Sequence, residues 1–155
     1  MRLLFLGDVM GRAGRSAISE RLPRLRSEWR VDFAVVNGEN ATNGAGLSAA
    51  HAQLILDAGA DAITLGDHAF DQRDMMQFCE TEPRIVRPLN YSKAAPGKGA
   101  RVFEAPGGRR VLVAQVLGQV FMKRPFDDPF SAIEPVLKNA RLGGAVQAAL
   151  VDMHC

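Results

Sequence analysis

Cysteine, aromatic residues and net charge are all scarce in this chain of 155 residues. Two cysteines, Cys79 and Cys155, cannot build the framework of bridges on which small secreted domains rely, and they suit a reducing compartment. Aromatic residues make up only 6% of the chain, and no series of them interleaves the seven arginines of the first thirty residues (2, 12, 15, 21, 24, 26 and 30). The stacking platform of a single-strand nucleic-acid binder is therefore missing. No apolar run approaches the roughly 20 residues of a membrane span. Leu3 to Leu6 is hydrophobic, but Gly7 and Asp8 stop it too early for the core of a signal peptide. With 47% hydrophobic residues, 23% charged residues and a formal charge of +2, the chain is not disordered, collagenous or a disulfide scaffold. It is expected to be soluble and cytoplasmic, with no membrane partner.

What is present is the pattern of one α/β domain. A chain of this length buries roughly 70% of its unfolded surface. The runs Leu3–Leu6, Phe33–Val36 and Ala62–Leu65 are too short for helices and lack polar alternation, as strands covered on both faces do. Helical segments lie between them. Ile18, Leu22, Leu25 and Trp29 form a helical stripe, with the arginines opposite on a solvated face. Ser48 caps a helix that Gly59 stops, Asp71 caps another through Cys79, and Asp128-Pro129 opens a third ending at Gly143-Gly144. Arg101–Glu104 and Arg110–Leu117 flank the turn Ala105-Pro-Gly-Gly108, a hairpin that makes the sheet mixed. Ala148–Val151 reads as a last strand.

The chemistry is expected where these strands end. Gly7-Asp8, Asn37-Gly38-Glu39-Asn40, Gly66-Asp67-His68 and Asp152-Met153-His154 each follow an apolar run. Open α/β sheets bind ligands beyond the carboxyl ends of their strands, so these residues should meet at one rim. Carboxylates gathered with imidazoles need cationic compensation, and a mixed O/N donor set suits Fe, Mn, Zn or Co better than a calcium cage. Two such ions about 3.5–4 Å apart can clamp a phosphoryl group and hold a bridging hydroxide. Glu39 is the candidate bridge, and His68 the group that protonates or stabilises a leaving oxygen. Weaker candidates for substrate contact are Arg12, in the glycine-rich turn at a helix start, and Asn90, beyond a strand at Ile85-Val86. His51, Met75, Met76 and Cys79 read as packing or surface residues.

The segments GDVMGRAGR (7–15), NGENATNGAGLS (37–48), GADAITLGDHAFD (59–71), RPLNY (87–91), LGQVFMKRPFDDPF (117–130) and VDMH (151–154) resemble the YmdB-like branch of calcineurin-type metallophosphoesterases. The resemblance runs the length of the chain. It implies a metallophosphoesterase-like αββα sandwich with parallel and mixed sheets, and a centre of two divalent metal ions, often iron, with Mn, Zn, Co or Mg as alternatives. It also implies phosphodiesterase activity on 2',3'- or 3',5'-cyclic nucleotides. By position, Asp8 resembles a ligand of the first metal, Glu39 the bridging ligand, and Asn40 an auxiliary ligand or substrate contact. Asp67 and His154 resemble ligands of the second metal, and His68 the catalytic histidine.

Three departures accompany the resemblance. Met10 stands where the wider superfamily often has histidine, as is usual in this branch. Asp67 replaces a common asparagine, adding a negative charge that holds cations and opposes an anionic substrate. The family continues past the equivalent of Cys155 to a Gly-x-His-x-His segment, so residues 1–155 are expected to be the N-terminal part of a single domain. The competing expectation is a non-catalytic nucleotide- or phosphate-binding or regulatory assembly module. A homo-oligomer and an RNA or protein partner are compatible with either.

Overall fold

A computed structural model describes residues 1–122 and 124–155; Lys123, within the 117–130 motif, lies outside them. The apolar runs form the first sheet: β1 (Leu3–Leu6), β2 (Phe33–Asn37), β3 (Ala62–Thr64) and β4 (Ile85–Val86), parallel and side by side in chain order. The strands β2, β3 and β4 are buried along their whole length, which is why their sequences show no polar alternation. The crossovers are α1 (Gly11–Glu28), α2 (Ala49–Asp57) and α3 (Arg73–Thr81). Their inward residues, among them Ile18, Leu22, Ile55, Met75 and Cys79, pack on Ala34, Val36, Ile63 and Ile85.

Local chemistry accounts for some of the helix ends. Ser48 Oγ accepts a hydrogen bond from the backbone N–H of His51 at 3.3 Å and starts α2. Gly59 follows with φ +106°, a left-handed conformation that favours glycine. Asp71 does not cap α3 as expected. Gln72 occupies the flanking position without a capping bond, its Nε2 donating instead to Ala45 O, and the Asp71 carboxylate turns to the His68 imidazole, a charge-assisted partner. The arginines of α1 also divide. Arg12, Arg21 and Arg24 are exposed, whereas Arg15 donates to Ala41 O, and Arg26 donates to Gly59 O and pairs with Asp61. Two members of the expected solvated face thus fasten α1 to neighbouring loops.

The second sheet is mixed, as the hairpin signal predicts. Strands β5 (Ala100–Ala105) and β6 (Arg109–Leu117) are antiparallel around Gly107 and Gly108, and β7 (Ala148–His154) lies parallel to β6. The crossover α4 (Pro129–Asn139) begins where Asp128 Oδ2 accepts from Ser131 N at 2.7 Å. It stops before the predicted Gly143-Gly144, because buried Val146 draws the chain into a turn closed by Gly143 N to Val146 O and Val146 N to Arg141 O.

The two sheets face one another. Phe33, Val35, Ala62 and Val86 meet Phe103, Ala105, Val111, Val113, Ala148 and Leu150 between them. On the outer face of the second sheet, Ala100, Leu112 and Ala149 pack with Val136 of α4, Ala140 at its end and Val146. The layers are therefore helix, sheet, sheet, helix. Among the described residues, no helix is long and apolar enough to cross a membrane.

Candidate metal centre

All strands of the first sheet point the same way, so their carboxyl ends share one rim. Parallel pairing of β1 with β2 and of β2 with β3 sets Leu6 beside Val36 and Asn37 beside Thr64. The loops beyond are tied together by Val9 N to Asn37 O (3.1 Å), Gly11 N to Asn40 O (3.0 Å) and Gly38 N to Thr64 O (3.0 Å). The second sheet reaches this rim through β7. Strand alternation turns Ala148, Leu150, Asp152 and His154 to one face, leaving Val151 and Met153 exposed on the other.

Glu39 is the centre of the arrangement. It is only 2% exposed, yet its Oε2 is buried with no hydrogen-bond partner among the described residues. Its Oε1 lies 2.7 Å from His154 Nδ1. The lone acceptor is accommodated because residue 66 is glycine: a Cβ there would lie 1.4 Å from Oε2. A buried carboxylate oxygen without a donor is costly unless a cation faces it. Glu39, Asp67 and His154 each offer one donor atom, and the three atoms lie within 4.8 Å of one another. His154 Nε2 is 3.5 Å from Asp67 Oδ1. The mixed carboxylate–imidazole set fits a transition-metal ion.

Asp8 and Asn40 flank this trio. Asn40 Nδ2 donates to Asp8 Oδ2 at 2.7 Å, and both residues line one surface hollow with Glu39, Asp152 and His154. His68 approaches the same Asp67 oxygen, its Nε2 3.7 Å from Asp67 Oδ1 and its Nδ1 2.6 Å from Asp71 Oδ2. The hydrogen bond that the His154 imidazole donates to Glu39 holds it above its usual pKa, against the opposing effect of burial; the charges of Glu39, Asp67 and Asp152 add to the rise.

Arg12 and Asn90 do not join this group. Arg12 lines a separate hollow with Arg15, Ser19 and Glu20 along α1. Buried Asn90 spends its amide on the backbone: Nδ2 donates to Leu117 O (2.7 Å) and Asp127 O (2.8 Å), and Oδ1 accepts from Leu117 N (2.8 Å). His51 is half-buried against Thr42, with burial pressing its pKa down, and burial pushes the Cys79 thiol up to about 12. Neither belongs to the rim.

Two residues at the rim carry roles that the sequence reading missed. Asp152 Oδ2 accepts from Asn37 Nδ2 (2.9 Å) and Thr64 Oγ1 (2.6 Å), tying β7 to β2 and β3. Asn37 Oδ1 in turn accepts from Glu39 N at 3.3 Å. The signal available was the two-residue spacing from His154, which puts both side chains on one strand face. Asp71 is the second, identifiable only by its three-residue spacing from His68.

A family model for YmdB-like proteins matches residues 4–155. The chain belongs to the YmdB-like family. It is 37% identical over 140 residues to a 2',3'-cyclic-nucleotide 2'-phosphodiesterase of Bacillus subtilis, covering 90% of this chain and 52% of that protein. Among solved structures it superposes on a hypothetical protein from Thermus thermophilus with TM-score 0.89 at 41% identity, covering 99% of this chain and 57% of that one. A phosphatase from Mycoplasma pneumoniae gives TM-score 0.86 at 31% identity, covering 98% of this chain and 54% of the other. The YmdB-like chain thus has the α/β sandwich of a metallophosphoesterase, and spans about half the length of the relatives it matches.

Proposed function

We propose that this chain carries the metal-binding rim of a phosphodiesterase that hydrolyses small phosphodiesters, 2',3'- or 3',5'-cyclic nucleotides foremost. The observation that carries the reading is Glu39: a buried carboxylate with an oxygen unpartnered among the described residues, held within reach of Asp67 and His154 in space kept open by Gly66. The name of the Bacillus subtilis relative supports the reaction class.

In this reading Asp8, Glu39, Asn40, Asp67 and His154 hold two divalent ions, iron first, with Mn, Zn, Co or Mg as alternatives. Such ions, when bound, supply countercharge and polarise a phosphoryl oxygen. The remaining work falls to side chains. Asp71 accepts from His68 Nδ1, which orients the ring and leaves Nε2 to give a proton to the departing oxygen. Asn40, steered by its bond to Asp8, is positioned for the substrate's phosphate.

Residues 1–155 are, in the same reading, the N-terminal part of a single domain. Exposed Leu3 and Phe5 on the inter-sheet side of β1, and Val151 and Met153 on the outer side of β7, support this by offering apolar surface for further strands.

The test is metal analysis with cyclic-nucleotide hydrolysis by the complete protein. Glu39→Gln should lose bound metal and most turnover, whereas His68→Ala should keep metal and slow turnover about 10²- to 10⁴-fold. Unchanged metal content and rate in Glu39→Gln would overturn the reading. Absence of bound ions after reconstitution would favour a phosphate-binding or assembly module.

A further inference from the structure

A second hollow of about 200 Å³ is lined by Asp67, His68, Asp71, Arg124 and Phe126. The carboxylates and His68 already have places in the proposed chemistry, but Arg124 and Phe126 do not. Both belong to the connection from β6 to α4, and it leaves β6 at Leu117, the residue paired with His154.

Charge singles out Arg124. The two hollows of the rim are lined by Asp8, Glu39, Asp67, Asp71 and Asp152, and Arg124 is the only Lys or Arg among their described lining residues. Among the described residues it takes part in no ion pair. An arginine with its planar fork unspent, beside a proton-donating histidine, suits the non-bridging oxygens of a phosphate.

Packing singles out Phe126. Its ring centroid is 5.4 Å from that of Tyr91, which in turn lies 5.6 Å from Phe70 in an edge contact. One end of this aromatic row therefore opens on the hollow, in a chain otherwise poor in aromatic residues. Asn90, next to Tyr91, secures both ends of the connection through its bonds to Leu117 and Asp127, which holds Phe126 and Arg124 in register with His68.

We propose that Arg124 and Phe126 determine specificity: Arg124 binds the phosphate's non-bridging oxygens while Phe126, backed by Tyr91 and Phe70, stacks the base of a nucleoside cyclic phosphate. The inference rests on the phosphodiesterase reading and adds to it the demand for a base. Asn90 is then a positioning residue that holds the recognition loop without touching substrate.

The experiment uses the complete, metal-loaded protein with two probes: adenosine 2',3'-cyclic phosphate, and methyl riboside 2',3'-cyclic phosphate, which lacks a base. Steady-state kinetics are paired with calorimetric binding of inorganic phosphate and with metal analysis. Arg124→Gln should raise KM for both probes about tenfold or more and weaken phosphate binding equally. Metal content should not change, and Arg124→Lys should restore part of the loss. Phe126→Leu should raise KM for the adenosine probe alone and leave phosphate binding intact. If wild type hydrolyses both probes and Arg124→Gln changes neither KM, or Phe126→Leu changes both alike, this inference fails while the phosphodiesterase reading stands. If wild type hydrolyses neither these probes nor adenosine 3',5'-cyclic phosphate, both fall.

Discussion

Gly66 and Glu39 work as a pair, since the absence of one carbon makes room for an oxygen that no donor among the described residues satisfies. The consequence for pH runs through His154, whose pKa the Glu39 hydrogen bond raises above the usual value of about 6.5. A raised folded value means that the unfolded chain gives up this proton first. In metal-free protein, the pair's stabilisation is thus complete below the unfolded pKa and is lost as pH rises through the folded one. The melting temperature, measured in chelator, should fall more steeply across that interval in wild type than in His154→Gln; equal slopes would remove His154 as the source. Asp8, Glu39, Asp67 and His154 were legible as polar residues closing apolar runs. Asp71 was not, because an aspartate before a helix carries the same local signature whether it caps the helix or serves a histidine.

At the scale of elements, capping shows how much local sequence decides. Ser48 satisfies the His51 N–H at the start of α2, a helix of nine residues that supplies buried Ala52, Ile55 and Leu56 to the core. Ser48→Ala should lower unfolding free energy by about 1 kcal/mol in urea titrations, with Ser48→Asp holding near wild type. The hairpin of β5 and β6 was equally legible, since Gly107 and Gly108 both adopt positive φ at its turn. The end of α4 was not. Two glycines marked a stop, but burial of Val146 closes the helix earlier, and burial is a property of the neighbouring sheet.

The whole molecule depends on how its two sheets are held at the rim. Asp152 bridges them by accepting from Asn37 and Thr64, both buried, and through Asn37 it reaches the backbone of Glu39. Asp152→Ala should lower stability by about 1.5–3 kcal/mol, read from denaturant midpoints, because two donors lose an ionised acceptor. Adding Thr64→Val should recover part of that loss, since it removes one stranded hydroxyl. Additive losses would show that Asp152 and Thr64 act separately.

Read alone, the sequence determined the order of strands and helices, the parallel character of the first sheet and the residues that terminate its strands. Those features follow from short-range patterns of apolar runs, caps and turns. The tertiary structure decided what no spacing encodes: that β7 reaches the rim from a second sheet, that Glu39 is buried with an oxygen unpartnered among the described residues, and that Arg124 and Phe126 line one hollow with His68. Each is a contact between segments far apart in the chain, and such contacts exist only once both sheets have packed face to face.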